Sequence, residues 1–190
     1  MTETAVPQTT RFGDHERRAV ALLAAAVVVA AALVGWLLVQ GGAGSDRARV
    51  TTPVLVSAAE LRQFAESVHH PVFWAGPRDG TSYELTATAS GRVFVRYLPP
   101  HVQAGNPRAG FLTVGTYPSS RPYVDLERAS RADDAIGIRL HGGALALMSR
   151  RAPRSVYLAS RGSPYQVEVY APSLDLARDL VLGGAIRPIR

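Results

Sequence analysis

The sequence predicts one membrane-spanning helix followed by an α+β domain with a mainly antiparallel sheet and about three helices. Three observations carry that expectation. Residues 19–40 form an uncharged apolar run; the body after it alternates apolar and polar positions between glycine and proline turns; and three short amphipathic stretches begin near serine or proline. The first sets location and the other two set fold class.

A helix rises about 1.5 Å per residue, so residues 19–40 cover roughly 33 Å, enough for a hydrocarbon core of about 30 Å. Arg17 and Arg18 abut its start, with Arg11 nearby, while Gly41-Gly42-Ala43-Gly44-Ser45 follows its end. Arginine is retained on the cytoplasmic side, so the N-terminus is expected inside and the body outside. A cleaved signal peptide is the competing reading, but secretory apolar regions usually run only about 7–15 residues. The division expected is a disordered cytoplasmic tail over 1–18, a single span over 19–40, a flexible tether over 41–52 and an extracytoplasmic domain over 53–190.

Composition narrows the chemistry. The chain has 190 residues, a net charge of +6 and no cysteine. Disulfides, thiolate metal sites and thiol catalysis are therefore excluded. All 21 basic residues are arginine, a bias that fits a GC-rich bacterial genome. Glu3, Asp14 and Glu16 balance the arginines of the tail, so the excess charge falls on the body. A basic domain held near a membrane suits an anionic lipid or wall polymer as partner, or a protein; no nucleic acid is expected.

The elements follow in order. Ser57-Ala58-Ala59-Glu60 has the spacing of a capping box, and Leu61, Phe64, Ala65 and Val68 continue it as one apolar stripe. His69-His70-Pro71 ends that helix, because the residue before proline avoids the helical region. Strands are expected over 71–76, 83–89 and 92–98, the last two joined by Ser90-Gly91, and again over 111–117 after a proline- and glycine-rich loop. Val93, Val95 and Tyr97 share one face of their strand, opposite Arg92, Phe94 and Arg96. Pro122 opens a second helix to about Ala132. Strands over 135–140, 144–149, 155–160 and 165–170 come next, the first two joined by Gly142-Gly143. A last helix starts at Ser173, presents Leu174, Ala177, Leu180 and Val181, and stops at Gly183-Gly184. The order also suggests two helix-plus-four-strand repeats: Ser57 and Ser120 precede helices, and Val93-Phe94-Val95 is echoed by Val156-Tyr157-Leu158 at the same offset.

No pattern of known chemistry stands out. His69, His70, His101 and His141 fall at a helix end or in turns, without metal-ligand spacing. Asp133-Asp134 reads as a helix end. No GxSxG elbow and no phosphate-cradling glycine loop appears. Two groups remain as candidates. Arg150, Arg151, Arg154 and Arg161 cluster around strand connections and form a possible anion-facing patch, since guanidinium forks suit phosphate and carboxylate. Phe73, Trp74 and Tyr83 are an aromatic group read mainly as core, part of which lines a cleft.

Pro71-Val72-Phe73-Trp74-Ala75-Gly76-Pro77, Tyr83-Glu84-Leu85-Thr86, residues 92–99 and residues 110–118 resemble a group of uncharacterised actinobacterial proteins. Each member has an N-terminal membrane helix and an extracytoplasmic domain. The resemblance spans about residues 54–188 and implies a bacterial, membrane-anchored protein; it brings no activity, ligand, cofactor or catalytic residue. The favoured function is therefore non-catalytic binding of a partner protein or an anionic envelope component, without a cofactor. The alternative is a small hydrolase or transferase acting on envelope material, with no residue assigned to its chemistry.

Overall fold

A computed structural model describes residues 52–190. The expected tail and span, and nearly all of the tether, lie outside the described residues. No helix among the described residues is long and apolar enough to cross a membrane.

The domain is α+β. Its elements run β1 (Val54–Val56), α1 (Ala58–Ser67), β2 (Phe73–Trp74), β3 (Ser82–Ala87), β4 (Val93–Leu98), β5 (Thr113–Pro118), α2 (Pro122–Ala129), β6 (Ala135–Arg139), β7 (Leu145–Ser149), β8 (Ala152–Ala159), β9 (Tyr165–Tyr170), α3 (Leu174–Leu182) and β10 (Arg187–Pro188). Eight strands make one antiparallel sheet in the order β1-β3-β4-β5-β9-β8-β7-β6. The centre is β5 beside β9; β4, β3 and β1 lead outward on one side, and β8, β7 and β6 on the other. Strands β2 and β10 pair with each other in a separate ribbon.

Local chemistry explains where the helices begin and end. The Ser57 hydroxyl accepts from the Glu60 amide at 3.2 Å, and the Glu60 carboxylate accepts from the Ser57 amide at 2.7 Å. That backbone bond holds the Glu60 carboxyl below its ordinary range. Val68 turns to extended backbone ahead of the His69-His70-Pro71 stop. Helix α2 starts at Pro122 but ends at Ala129, before the expected Ala132; the Ser130 hydroxyl donates to the Glu127 carbonyl and competes with the helical pattern. Ser173 caps α3, and Gly184 takes the left-handed conformation that closes it.

Two cores form, one on each face of the sheet. On the first face, Leu61 of α1 and Ala177 and Val181 of α3 cover Val93, Val95 and Val167. On the second, Tyr123 and Leu126 of α2 cover Leu145, Leu147 and Tyr157. The other half of that second face is covered by a loop. Arg96 and Glu84 sit opposite each other on β4 and β3 and form an ion pair at 3.1 Å. Arg96 then donates to the carbonyls of Asn106 (2.8 Å) and Arg108, while Glu84 accepts from the Gly105 amide at 2.6 Å. One polar pair thus pins the proline- and glycine-rich loop over the sheet.

Two differences from the sequence expectation matter. The run over 71–76 does not enter the main sheet; only Phe73–Trp74 is a strand, and it pairs with β10. The edge position beside β3 is taken by β1, three residues that are too short to show any period.

The fragment 50–190 is expected to fold alone, with a single cooperative urea transition. Leu61 is wholly buried between α1 and the sheet, so Leu61→Ala should cost about 2–5 kcal/mol by the same measurement. A loss under about 1 kcal/mol would show that α1 does not close this core.

Candidate functional site

The feature that most shapes the surface is the segment from Val72 to Arg78, which crosses the first face of the sheet as a strap. A strap outside the sheet must find other partners for its amides. Hydroxyls from the sheet supply them. The Phe73 amide donates to Thr116 Oγ1 at 3.0 Å, the Ala75 amide to Tyr97 Oη at 2.7 Å, and the Arg78 amide to Tyr83 Oη at 2.9 Å. Tyr97 Oη in turn donates to the Gly76 carbonyl at 3.1 Å. Burial pushes the Tyr97 hydroxyl well above its usual titration range, so it stays a donor. Gly76 has φ +77, a conformation that glycine adopts without strain. The Ile189 amide closes the other side by donating to the Val72 carbonyl at 2.8 Å.

The strap buries Trp74, which tilts against Tyr83 at 6.0 Å; Tyr83 in turn meets Tyr97 edge to face at 5.1 Å. Over Trp74 lies the guanidinium of Arg62 from α1, 5.4 Å from the ring centroid. Strand β10 brings Arg187 opposite Trp74, and Arg190 follows. Together Arg62, Trp74, Pro77, Arg187, Pro188 and Arg190 line a cleft of about 500 Å³. No acidic side chain is in the lining, and none of these three arginines forms an ion pair among the described residues. The cleft therefore offers positive charge, fork-shaped donors and apolar walls, which is the chemistry of binding an anion.

The aromatic group read from the sequence divides between roles. Tyr83 is core and strap anchor, Trp74 is the floor of the cleft, and Phe73 lines a second cleft. That second cleft, of about 380 Å³, lies between the end of α3, the β6–β7 hairpin and the β8–β9 turn. His141, Ser160 and Ser163 share it, but no hydrogen bond joins the histidine to either serine. Among the described residues no group of three potential metal ligands is found.

The arginines read as a patch do not meet in one place. Arg150 and Arg151 lie in the β7–β8 turn, where Arg151 pairs with Asp134 at 2.9 Å and Arg150 donates to the Asp133 carbonyl at 3.2 Å. Arg154 is exposed on β8. Arg161 lies past the far end of that strand, about 25 Å away at roughly 3.3 Å per residue. There its guanidinium covers the Tyr123 ring at 4.3 Å and approaches Glu127 at 4.0 Å. Three of the four are thus drawn toward nearby acceptors or rings. The arginines of the cleft were not singled out by the sequence: Arg62 reads as an ordinary polar helix position, and Arg187 and Arg190 as a basic tail.

One titratable group was also missed. Glu168, on β9 at the centre of the sheet, is 3% exposed. Its carboxylate accepts from Ser155 Oγ and Tyr117 Oη, both at 2.7 Å. Tyr117 reaches it by lying across Gly115, where a Cβ would come within 2.8 Å of the tyrosine ring. The Tyr157 hydroxyl lies beside the same carboxyl and Ser155, and Gln166 Oε1 is buried without a hydrogen-bond partner. Burial raises the Glu168 carboxyl above its ordinary value, and this outweighs the bonds from Ser155 and Tyr117.

The fold and cleft together define a class: a basic α+β domain with an arginine-lined cleft beside the strap. No family model, curated protein or solved structure matches the chain.

Because the folded state raises the Glu168 pKa, the group's contribution is fully present below the unfolded value and is lost as pH rises through the folded value. Glu168→Gln should leave stability near wild type at about pH 4 and gain relative to wild type by about pH 8. Urea midpoints of the two proteins across that range test this. A difference that does not change with pH would show that Glu168 titrates as an ordinary carboxyl.

Proposed function

We propose that the chain is a membrane-tethered, extracytoplasmic binding domain that recognises an anionic component of the cell envelope through the cleft around Trp74. The observation that carries this reading is that Arg62, Arg187 and Arg190 line one concave surface with no acidic side chain among them. Arg151 and Arg178, by contrast, lean on nearby acids. Three left unpaired around a rigid aromatic floor keep their charge available to a ligand. In this reading residues 19–40 hold the domain at the outer face of the membrane, with residues 1–18 inside.

The strand order supports an internal duplication. Helix α1 precedes β3, β4 and β5, helix α2 precedes β7, β8 and β9, and the two strand sets meet at β5 and β9 about a pseudo-two-fold. In the second half the strand after the helix, β6, takes the sheet edge, whereas in the first half β2 leaves the sheet to become the strap and β1 fills the edge. The helices also differ, α1 packing on the first face and α2 on the second, so on this account the halves diverged at both the helix and the strand that follows it.

Two measurements on the full chain test the reading. Alkaline phosphatase fused after Arg190 should be active and a fluorescent protein there dark; the reverse would place the domain in the cytoplasm. The purified chain in neutral detergent should be retained on an immobilised polyanion, and replacing Arg62, Arg187 and Arg190 together by glutamine should abolish that retention. Retention equal to wild type in a folded triple variant would move the anion site elsewhere.

A further inference from the structure

We infer that the Arg62–Arg187–Arg190 cleft is a phosphate site, built for the phosphate group of a projecting or polymeric ester rather than for a carboxylate. This rests on the reading above that the cleft binds an anion, and it names the anion. Three features point to phosphate. A carboxylate presents two oxygens in one plane and is satisfied by a single guanidinium fork, whereas a phosphate group presents oxygens in several directions and suits more than one fork. Here three arginines line one cleft, the Arg62 guanidinium lying over its Trp74 floor. Arg62 is held in place from two sides, by the Trp74 ring and by its 3.4 Å bond to the Ala58 carbonyl, so part of its ordering cost is met before a ligand arrives. Arg187 is set by a paired strand, opposite Trp74.

The shape indicates which phosphate source fits. The site is concave, about 500 Å³, and walled by Pro77 and Pro188. A bilayer presents its headgroups as a surface that favours a flat or protruding basic face, while a cleft admits a single group carried on a chain or a soluble ester. The apolar walls then cover the carbon skeleton next to the phosphate. Asp79, in the turn beyond Pro77, and Glu60, two residues before Arg62, are both absent from the lining. The substrate class assigned is therefore a phosphomonoester or phosphodiester of a soluble or polymeric molecule.

The test compares probes on the full chain by calorimetric titration. Inorganic phosphate, acetate, and a glycerol phosphate oligomer and an oligoglutamate of matched charge are titrated in neutral detergent; vesicles with anionic phospholipid are titrated against the full chain held in detergent-free discs of neutral lipid. The glycerol phosphate oligomer should bind at least about tenfold more tightly than oligoglutamate. Arg187→Gln should weaken that binding about tenfold, and Arg62→Lys, which keeps the charge but loses the fork, should remove most of the preference for phosphate. Equal or tighter binding of oligoglutamate overturns the phosphate assignment and leaves the anion reading standing. Binding to the vesicles but not to the oligomer overturns the source. Binding to no anion at all overturns both this inference and the function it rests on. Should Arg62→Lys disturb folding, Arg187→Gln carries the test alone, since Arg187 is exposed and forms no ion pair among the described residues.

Discussion

The Tyr97 hydroxyl is the contact on which the functional end of the domain depends. It accepts from the Ala75 amide and donates to the Gly76 carbonyl, so a single side chain satisfies two backbone groups of a segment with no strand on that side. An unsatisfied buried amide or carbonyl costs about 1–3 kcal/mol, so a strap without these partners would fall back into the sheet or into solvent. Thr116 and Tyr83 extend the same device to Phe73 and Arg78. With the strap fixed, Trp74 is buried at a defined angle, Arg62 has a ring to lie on, and β10 has a strand to pair with. The cleft follows from hydroxyl chemistry on the sheet face.

A second constraint acts at the sheet centre. Strands β5 and β9 are covered on both faces, so polar side chains there must be satisfied internally. Ser155, Tyr117 and Glu168 meet this demand through one another, at the cost of holding a carboxyl in a dry site. The outer strands meet the same demand on their second face in two ways, with apolar side chains under α2 in one half and the ion-paired Arg96 and Glu84 under a loop in the other. The same sheet thus uses an apolar helix on one side and an ion-paired loop on the other to exclude water.

Much of the architecture was legible because it rests on local signals. The capping box at Ser57, the Pro71 stop, the alternation of Val93, Val95 and Tyr97, and the Ser173 cap all lie within a turn or a strand of the residues they organise. What was not legible depends on long-range pairing. In Tyr165-Gln166-Val167-Glu168-Val169-Tyr170 the alternation looks like a strand with one wet face; only its place between β5 and β8 buries Gln166 and Glu168. Phe73-Trp74 was read as a strand with part of its aromatic group in a cleft, but its departure from the sheet is decided by Thr116, Tyr97 and Tyr83, up to 43 residues away. The cleft arginines come from α1 and from β10 and the residue just beyond it, so no sequence window contains them. By contrast, Arg150, Arg151, Arg154 and Arg161 are close in sequence and separated by the length of β8.

The most direct test of this account is amide hydrogen exchange on Tyr97→Phe, read at Ala75 and at a sheet residue such as Val95. The account predicts much faster exchange at Ala75, unchanged protection at Val95, and weakened anion binding, because the strap loosens while the sheet remains. Unchanged protection at Ala75 together with wild-type anion binding would contradict it, showing that the strap and its cleft hold without the Tyr97 hydroxyl.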